Sequence, residues 1–383
     1  MRILHVTDFF PPVRGGLEGH VDDLAAAQVA RGHDVHVATL TAAPEPRDER
    51  VVPHVVRAAA SSLLPHVDRE RPFHPPLPDP RARRDLGRVL DEVAPDVVHA
   101  HSWLGVSLPR HRVPVVLTAH DYALICQLHT LFSRDGSACD GPGSCVSCGS
   151  ASYGWVRSAF LAPGTAVGRR LWHLDAVVTL SAFVADTIRP FVSAPVHPCG
   201  GLLPPAPPPT EVPGLPDEPF ALFAGDPGAH KGLDALLSAW RGAPLVVAST
   251  KPVAARPGVT VVHLDRRQMA SAWRRAAVAV VPSVWPEPFG MVAMEALAAG
   301  TPVVATAVGA LPEIVRDGID GVLVAPGDVR ALVDAAGSLL ADEPRRRRMG
   351  DAAIAGSDRF SADAVVERID AVYQQVVVPA AVR

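Results

Sequence analysis

Residues 287–305 read EPFGMVAMEALAAGTPVVA. They follow closely on an apolar run, Val278–Val281, and lead into another, Val303–Ala307. Both runs predict strands, and Met291–Ala299 between them predicts a helix. Pro288 and Gly290 shape the turn ahead of that helix. A helix start leaves N–H groups without intrahelical partners and carries the positive end of the helix dipole, so a diphosphate can settle there. Glu287 lies before the turn, and Glu295 lies roughly two helical turns further on. Carboxylates accept hydrogen bonds from sugar hydroxyls, and two of them set apart can grip two sugars.

The same alternation extends in both directions. Upstream, apolar runs occur at Ile3–Thr7, Val35–Leu40, Val51–Arg57, Val97–Ala100, Val113–Ala119 and Val177–Leu180, with helical spacing over Gly19–Ala30 and Arg81–Val93. Nearer the starting segment the runs are Phe220–Ala224, Leu245–Ala248, Val259–Leu264 and Val322–Ala325. Helices are predicted there over Leu233–Trp240, Val329–Leu340 and Ala362–Val377. Strands alternating with helices mark a parallel α/β fold. Residues Cys199–Pro219 are too rich in proline for a helix interior or a central strand and read as a linker. The 383 residues thus form two α/β domains in tandem, with ligands expected outside the carboxyl ends of the strands and on one shared cleft.

With a formal charge of −4 and no basic face or arm, the chain has no sign of nucleic-acid binding. It shows no secretory signal and no apolar run long enough to span a membrane, so it reads as cytoplasmic, with peripheral membrane contact left open.

Two more turns carry chemistry. Gly225-Asp-Pro-Gly-Ala-His-Lys231-Gly232 follows the first strand of the second domain. Its glycines allow close backbone approach, and Lys231, one of only two lysines, offers a compact charge to a phosphate. It lacks the Gly-Lys-Ser/Thr of a Walker A loop. Pro11-Pro12-Val13-Arg14-Gly15-Gly16 joins the first strand to a helix, and its glycines would let backbone amides approach a phosphate or the transferred sugar. It fails the dinucleotide-binding glycine spacing. His120 follows the strand Val113–Ala119 at its carboxyl end, where sheet chemistry gathers.

Four of five cysteines, Cys126, Cys139, Cys145 and Cys148, fall in one Gly-rich stretch, and Cys145 and Cys148 have the two-residue spacing of zinc knuckles. A closed structural zinc site is expected, with free thiols or disulfides as the alternative.

Taken together, Gly15-Gly16, Leu117-Thr-Ala-His120-Asp121, Gly225…Lys231-Gly232, Glu287-Pro-Phe-Gly…Glu295-Ala and Gly300-Thr-Pro-Val-Val-Ala-Thr resemble the retaining glycosyltransferases of the GT-B fold, family 4 in particular. The resemblance runs over nearly the whole chain. It implies two Rossmann-like domains facing a central cleft. Residues 1–198 would form the acceptor-side domain, with a Cys-rich loop at 121–150. Residues 199–219 would be the linker and 220–360 the nucleotide-sugar domain, with 361–383 crossing back to the first.

By the same resemblance, Glu287 would hold donor-sugar hydroxyls and Glu295 the ribose. Lys231 and the backbone of Phe289, Gly290, Met291 and Val292 would hold the diphosphate, with Gly15 and Gly16 approaching it as well. His120 would line the reaction centre, and Arg14, Asp121 and Tyr122 are candidates on the acceptor side. No catalytic metal is implied. The partners implied are a nucleotide-diphosphate sugar and a small-molecule or glycan acceptor. Two departures stand out. Asp226 occupies the position where the family usually has arginine, with His230 or Arg14 as possible replacement cations, and Cys199-Gly-Gly-Leu202 replaces the usual Asn-Gly-Val-Asp. A nucleotide-sugar epimerase on the same fold and an inactive nucleotide-sugar-binding protein are the alternatives.

Overall fold

The computed structural model of the chain describes residues 1–13, 15–59, 74–132, 139, 145–254 and 256–377. The apolar runs form two wholly parallel sheets. The first contains β1 (Arg2–Thr7), β2 (Asp34–Thr39), β3 (Val52–Val55), β4 (Val97–Ala100), β5 (Val115–Ala119), β6 (Ala176–Thr179) and β7 (Val196–Pro198), in the order β3-β2-β1-β4-β5-β6-β7. The second contains β8 (Ala221–Ala224), β9 (Leu245–Ala248), β10 (Val259–Val262), β11 (Val278–Val281), β12 (Val303–Thr306) and β13 (Gly321–Val324), in the order β10-β9-β8-β11-β12-β13. Each sheet reverses its winding between its first and fourth strands, the point at which a doubly wound sheet leaves room for a ligand.

The central strands are buried throughout; β4, β9, β11 and β12 have no exposed residue. Helices on both faces require this, which is why the strands read as near-continuous Val and Ala. Two polar exceptions sit side by side: His5 of β1 pairs in register with His99 of β4, and both are fully buried.

Among the described residues the chain divides into two compact units, one ending at Leu202 and resuming at Ala362, the other spanning Leu203–Ser361. The proline-dense stretch is therefore shared between them and is not a separate spacer. Cys199 and Leu202 are buried in the first unit's core. Beyond them, Thr210 N donates to Ser271 Oγ at 2.9 Å, Arg274 to Pro207 O at 3.1 Å, and Val212 and Leu215 are buried. The Cys-rich loop is also shorter than expected. Cys145 opens the helical segment Cys145–Leu171, which breaks at Gly154 (φ 75°). The short helix Ala182–Ile188 and the helices Arg266–Arg275 and Glu343–Gly356 have no counterpart in the sequence reading. Among the described residues no helix is long and apolar enough to cross a membrane.

The last described helix, Ala362–Val377, belongs to the first unit. Val365, Val366, Ile369, Val372 and Tyr373 recur at helical spacing and pack against Ile3, Leu24, Val97 and Val116. Asp370 on its flank meets Arg31 at 3.4 Å and His33 at 3.3 Å. Burying such side chains is worth about 1.5–3 kcal/mol each, so the five together rival the whole stability of a domain. A chain ended at Ser361 is expected to leave the first unit unfolded or aggregated. Hydrogen exchange checks this: protection retained in β1, β4 and β5 would contradict it.

Candidate active site

In the second unit, the loops after β8 and β11 meet at the switch point. Val284 N donates to His230 O at 3.0 Å and ties the loops together. Lys231 Nζ lies 3.0 and 3.1 Å from the two carboxylate oxygens of Glu287. Glu287 Oε2 also accepts from Ser283 Oγ at 3.0 Å and from the Trp285 indole N–H at 2.7 Å. The ammonium sits 5.0 Å from the centre of the Trp285 ring, within cation–π range. A carboxylate has about four acceptor positions. Three donors crowd Oε2, whereas Lys231 is the donor at Oε1 among the described residues, so Oε1 keeps room for a ligand hydroxyl.

The backbone of Glu287 is pinned from behind. Its carbonyl accepts from Ala310 N at 2.8 Å, and a Cβ added at Gly309 would lie 2.3 Å from Glu287 N and O. Gly290 takes φ 99° at the start of the helix Met291–Ala298, where a Cβ would come within 2.8 Å of Leu311. No side chain caps that helix, so its leading amides remain available to an anion. The aromatic side chain of Phe289 is buried and packs edge-on against Phe360 at 5.8 Å, leaving the backbone as its contribution.

Glu295 lies on the next turn of the helix and accepts from the Trp273 indole at 3.4 Å. Burial outweighs that hydrogen bond and raises its pKa above the usual carboxylate range. With Arg266, Met269, Trp273 and Pro204–Pro207 it lines a cavity of about 300 Å³. Asp226 points its charge at Lys251, 2.8 Å away. The second lysine of the chain thus neutralises the carboxylate that stands in the usual arginine position.

The first unit has its own cavity at the corresponding switch point, of about 350 Å³. Gly15, Gly16, Glu18, His120, Asp121 and His129 are among its walls. Open space surrounds the place where a Gly16 Cβ would stand, so packing within the chain does not require glycine there. Asp121 Oδ2 meets His129 Nδ1 at 3.0 Å. Burial alone would raise the carboxyl and lower the imidazole; their mutual attraction outweighs it, so Asp121 is held below its ordinary pKa and His129 above.

Comparison with known proteins agrees with this layout. The family model for glycosyltransferase family 4 matches residues 14–199, and that for glycosyl transferases group 1 matches residues 259–355. The D-inositol 3-phosphate glycosyltransferase of Xylanimonas cellulosilytica is 32% identical over 94% of this chain and 92% of its own length. The chain belongs to glycosyltransferase family 4. Its fold is GT-B: the sucrose-phosphate synthase of Thermosynechococcus elongatus matches with a TM-score of 0.74 at 22% identity over 98% of each chain. Anabaena HepE in complex with UDP-glucose matches with a TM-score of 0.65 at 16% identity over 98% of this chain and 100% of that one.

Within this glycosyltransferase, several sequence expectations change. Tyr122 is fully buried among Leu124, Ile125 and Val184, so it supports the cavity and cannot touch an acceptor. Arg14 lies outside the described residues. No three of Cys126, Cys139, Cys145 and Cys148 have their sulfurs within 4.8 Å of one another. Among the described residues the one group of three or more candidate ligands within 4.8 Å of one another is His5, His99 and His101. Cys145 and Cys148 instead sit one turn apart on a helix, and Cys126 and Cys139 pack against the apolar cluster around Leu131, as small hydrophobic side chains do. Sequence reasoning missed Ser283, Trp285 and His129, which hydrogen-bond to Glu287 or Asp121; their proximity in sequence to those carboxylates was the available signal. It also missed His5 and His99, whose signal was a histidine inside a strand of valines.

Replacing Lys231 with Met removes the partner of Glu287 and a cation at the helix start. Nucleoside diphosphate affinity is expected to fall about tenfold to a hundredfold, the scale of a hydrogen bond to a charged group. Calorimetric titration checks this, and unchanged affinity would remove the lysine from the phosphate site.

Proposed function

We propose that this glycosyltransferase is a retaining enzyme without a catalytic metal, moving a sugar from a nucleoside-diphosphate donor to a hydroxyl of a small sugar, cyclitol or glycan. The observation that carries the reading is the Glu287 carboxylate, held by Lys231, Ser283 and Trp285 beside an uncapped helix start. Two opposite charges sit where a donor has both a negative diphosphate and a neutral, hydroxyl-bearing sugar. Lys231 and the amides of Gly290, Met291 and Val292 take the diphosphate. Glu287 then turns its free lone pairs to the sugar hydroxyls, and Glu295 takes the ribose. UDP is the first nucleotide to test, because HepE is described in complex with UDP-glucose.

In the transfer, the bond from the anomeric carbon to the diphosphate oxygen breaks. The acceptor oxygen bonds to the same face of that carbon, and its proton passes to the departing phosphate. Lys231 and the helix amides stabilise the charge that grows on the diphosphate, the work a divalent cation would otherwise do. Glu287 opposes the positive charge growing at the anomeric carbon. The first unit's cavity, with the Asp121–His129 pair and His120, positions the acceptor. The pairing of Asp226 with Lys251 removes the main argument for an inactive binding protein.

The direct test is incubation with UDP-, dTDP-, GDP- and ADP-sugars, with and without a panel of sugar and cyclitol acceptors, followed by mass spectrometry and NMR of the new linkage. Transfer with retained anomeric configuration, and no change of the donor alone, is expected. A rearranged donor sugar in the absence of acceptor would make the chain an epimerase, and binding without product would make it a carrier. Glu287→Gln keeps the size of the side chain and removes the charge. It is expected to lower kcat about tenfold to a thousandfold, on the scale of one oxyanion-type contact. Normal turnover in that variant would remove the carboxylate from the mechanism.

A further inference from the structure

Beneath the first unit's cavity, behind His120, lies a chain of buried polar side chains that the transfer chemistry does not use. Strand register and alternation put His5, His99, His101, Thr118 and His120 on one face of the sheet. The helices Gly16–Ala30 and Ala362–Val377 supply Gln28 and Tyr373 to the same cluster. Gln28 donates its amide N–H to the Tyr373 hydroxyl at 3.1 Å and turns its Oε1 to His5 Nε2 at 2.7 Å. The Tyr373 hydroxyl also meets His99 Nδ1 at 2.5 Å, and His99 Nε2 meets Thr118 Oγ1 at 2.6 Å.

The other branch runs to the cavity. An amide oxygen only accepts, so His5 Nε2 carries a proton. Burial pulls His5 down to a pKa of about 4, against the opposing hydrogen bond to Gln28, so the ring is neutral at pH 7 and its Nδ1 has a lone pair. His101 Nε2, 2.8 Å away, therefore donates to it. Burial and the neighbouring histidines keep His101 neutral too, so its Nδ1 accepts from His120 Nε2 at 3.0 Å. His120, lowered to about 4 by burial, has one proton and has placed it inward. Its ring lines the cavity. The ring nitrogens of His5, His99 and His101 that an ion would need are all engaged in these hydrogen bonds.

We propose that Gln28, His5 and His101 are positioning residues that hold His120 in its Nε2–H tautomer, so that Nδ1 faces the cavity as an unprotonated acceptor for a substrate hydroxyl. A neutral imidazole without such a chain presents either nitrogen as the donor. Here the polarity is set at Gln28, three hydrogen bonds from His120. A hydroxyl group on the ligand satisfies Nδ1; a carbonyl or ether oxygen at the same place does not. The role of Nδ1 rests on reading the cavity as part of the transfer site, whereas the tautomer itself does not.

The test reads the two separately. In protein labelled with ¹⁵N-histidine, two-bond ¹H–¹⁵N spectra at pH 7 report which nitrogen of His120 is protonated, with the resonances assigned by their loss in His120→Gln. The unsubstituted chain is expected to show His120 protonated at Nε2 with a lone pair at Nδ1. Gln28→Met removes the acceptor at the end of the chain and should populate the Nδ1–H form. It should also lower kcat by about tenfold, the scale of one hydrogen bond, with donor KM little changed. Gln28→Glu, whose ionised carboxylate only accepts, should restore both the tautomer and turnover. An Nδ1–H tautomer in the unsubstituted chain, or an unshifted tautomer in Gln28→Met, overturns the proposal. A shifted tautomer with unaltered turnover upholds the positioning role and overturns the reading of the cavity as a transfer site.

Discussion

Both sheets are parallel, both bury their central strands, and both change winding direction between their first and fourth strands. That change separates two neighbouring loops and leaves the carboxyl ends of the central strands uncovered by a crossover. The functional side chains follow from it. In the second unit, Lys231 comes from the loop after β8 and Glu287 from the loop after β11; in the first, Gly15 and Gly16 follow β1 and His120 follows β5. Valine- and alanine-rich strands make the frame rigid, and the loops are free to carry charge because they do not hold the sheets together.

The two units handle charge differently. The second places an ammonium and a carboxylate in contact at a half-buried turn, with an indole and a hydroxyl completing the carboxylate's shell. Removing either charge from such a pair leaves the other partly desolvated, so the pair is costly to break and is readily exchanged for a ligand carrying both kinds of group. Behind its cavity the first unit buries polarity that is neutral. His5, His101 and His120 are too deep to be charged at pH 7, and their hydrogen bonds fix direction where charge would be too costly. One unit is thus suited to an anionic ligand and the other to orienting hydroxyls.

Much of this was legible in the sequence. The alternation of Val-rich runs with helical periods gave the strands, and the helix expected over Ala362–Val377 has those bounds. The turns at Gly225–Gly232 and Glu287–Gly290 announced themselves because glycine, proline and single charges interrupt apolar runs. What stayed hidden depended on long-range pairing. Nothing local to Lys231 tells that it meets Glu287, fifty-six positions away, or that Lys251 meets Asp226. Tyr122 follows the His-Asp pair in sequence, but its ring is buried in the wall behind them. Cys145 and Cys148 lie one turn apart on a helix, and a spacing of two residues suits a helix turn as well as a metal knuckle.

The account hinges on Glu287 and Lys231 being partners only while no donor is bound. The affinity of Glu287→Gln for the nucleoside diphosphate that the unsubstituted chain binds best, among UDP, dTDP, GDP and ADP, tests this most directly. With the carboxylate gone, Lys231 no longer has a competing anion, so titration calorimetry should find the diphosphate bound at least as tightly as before. Affinity about tenfold weaker would contradict the account, because it would place Glu287 on the nucleotide and leave the ion pair a structural contact alone.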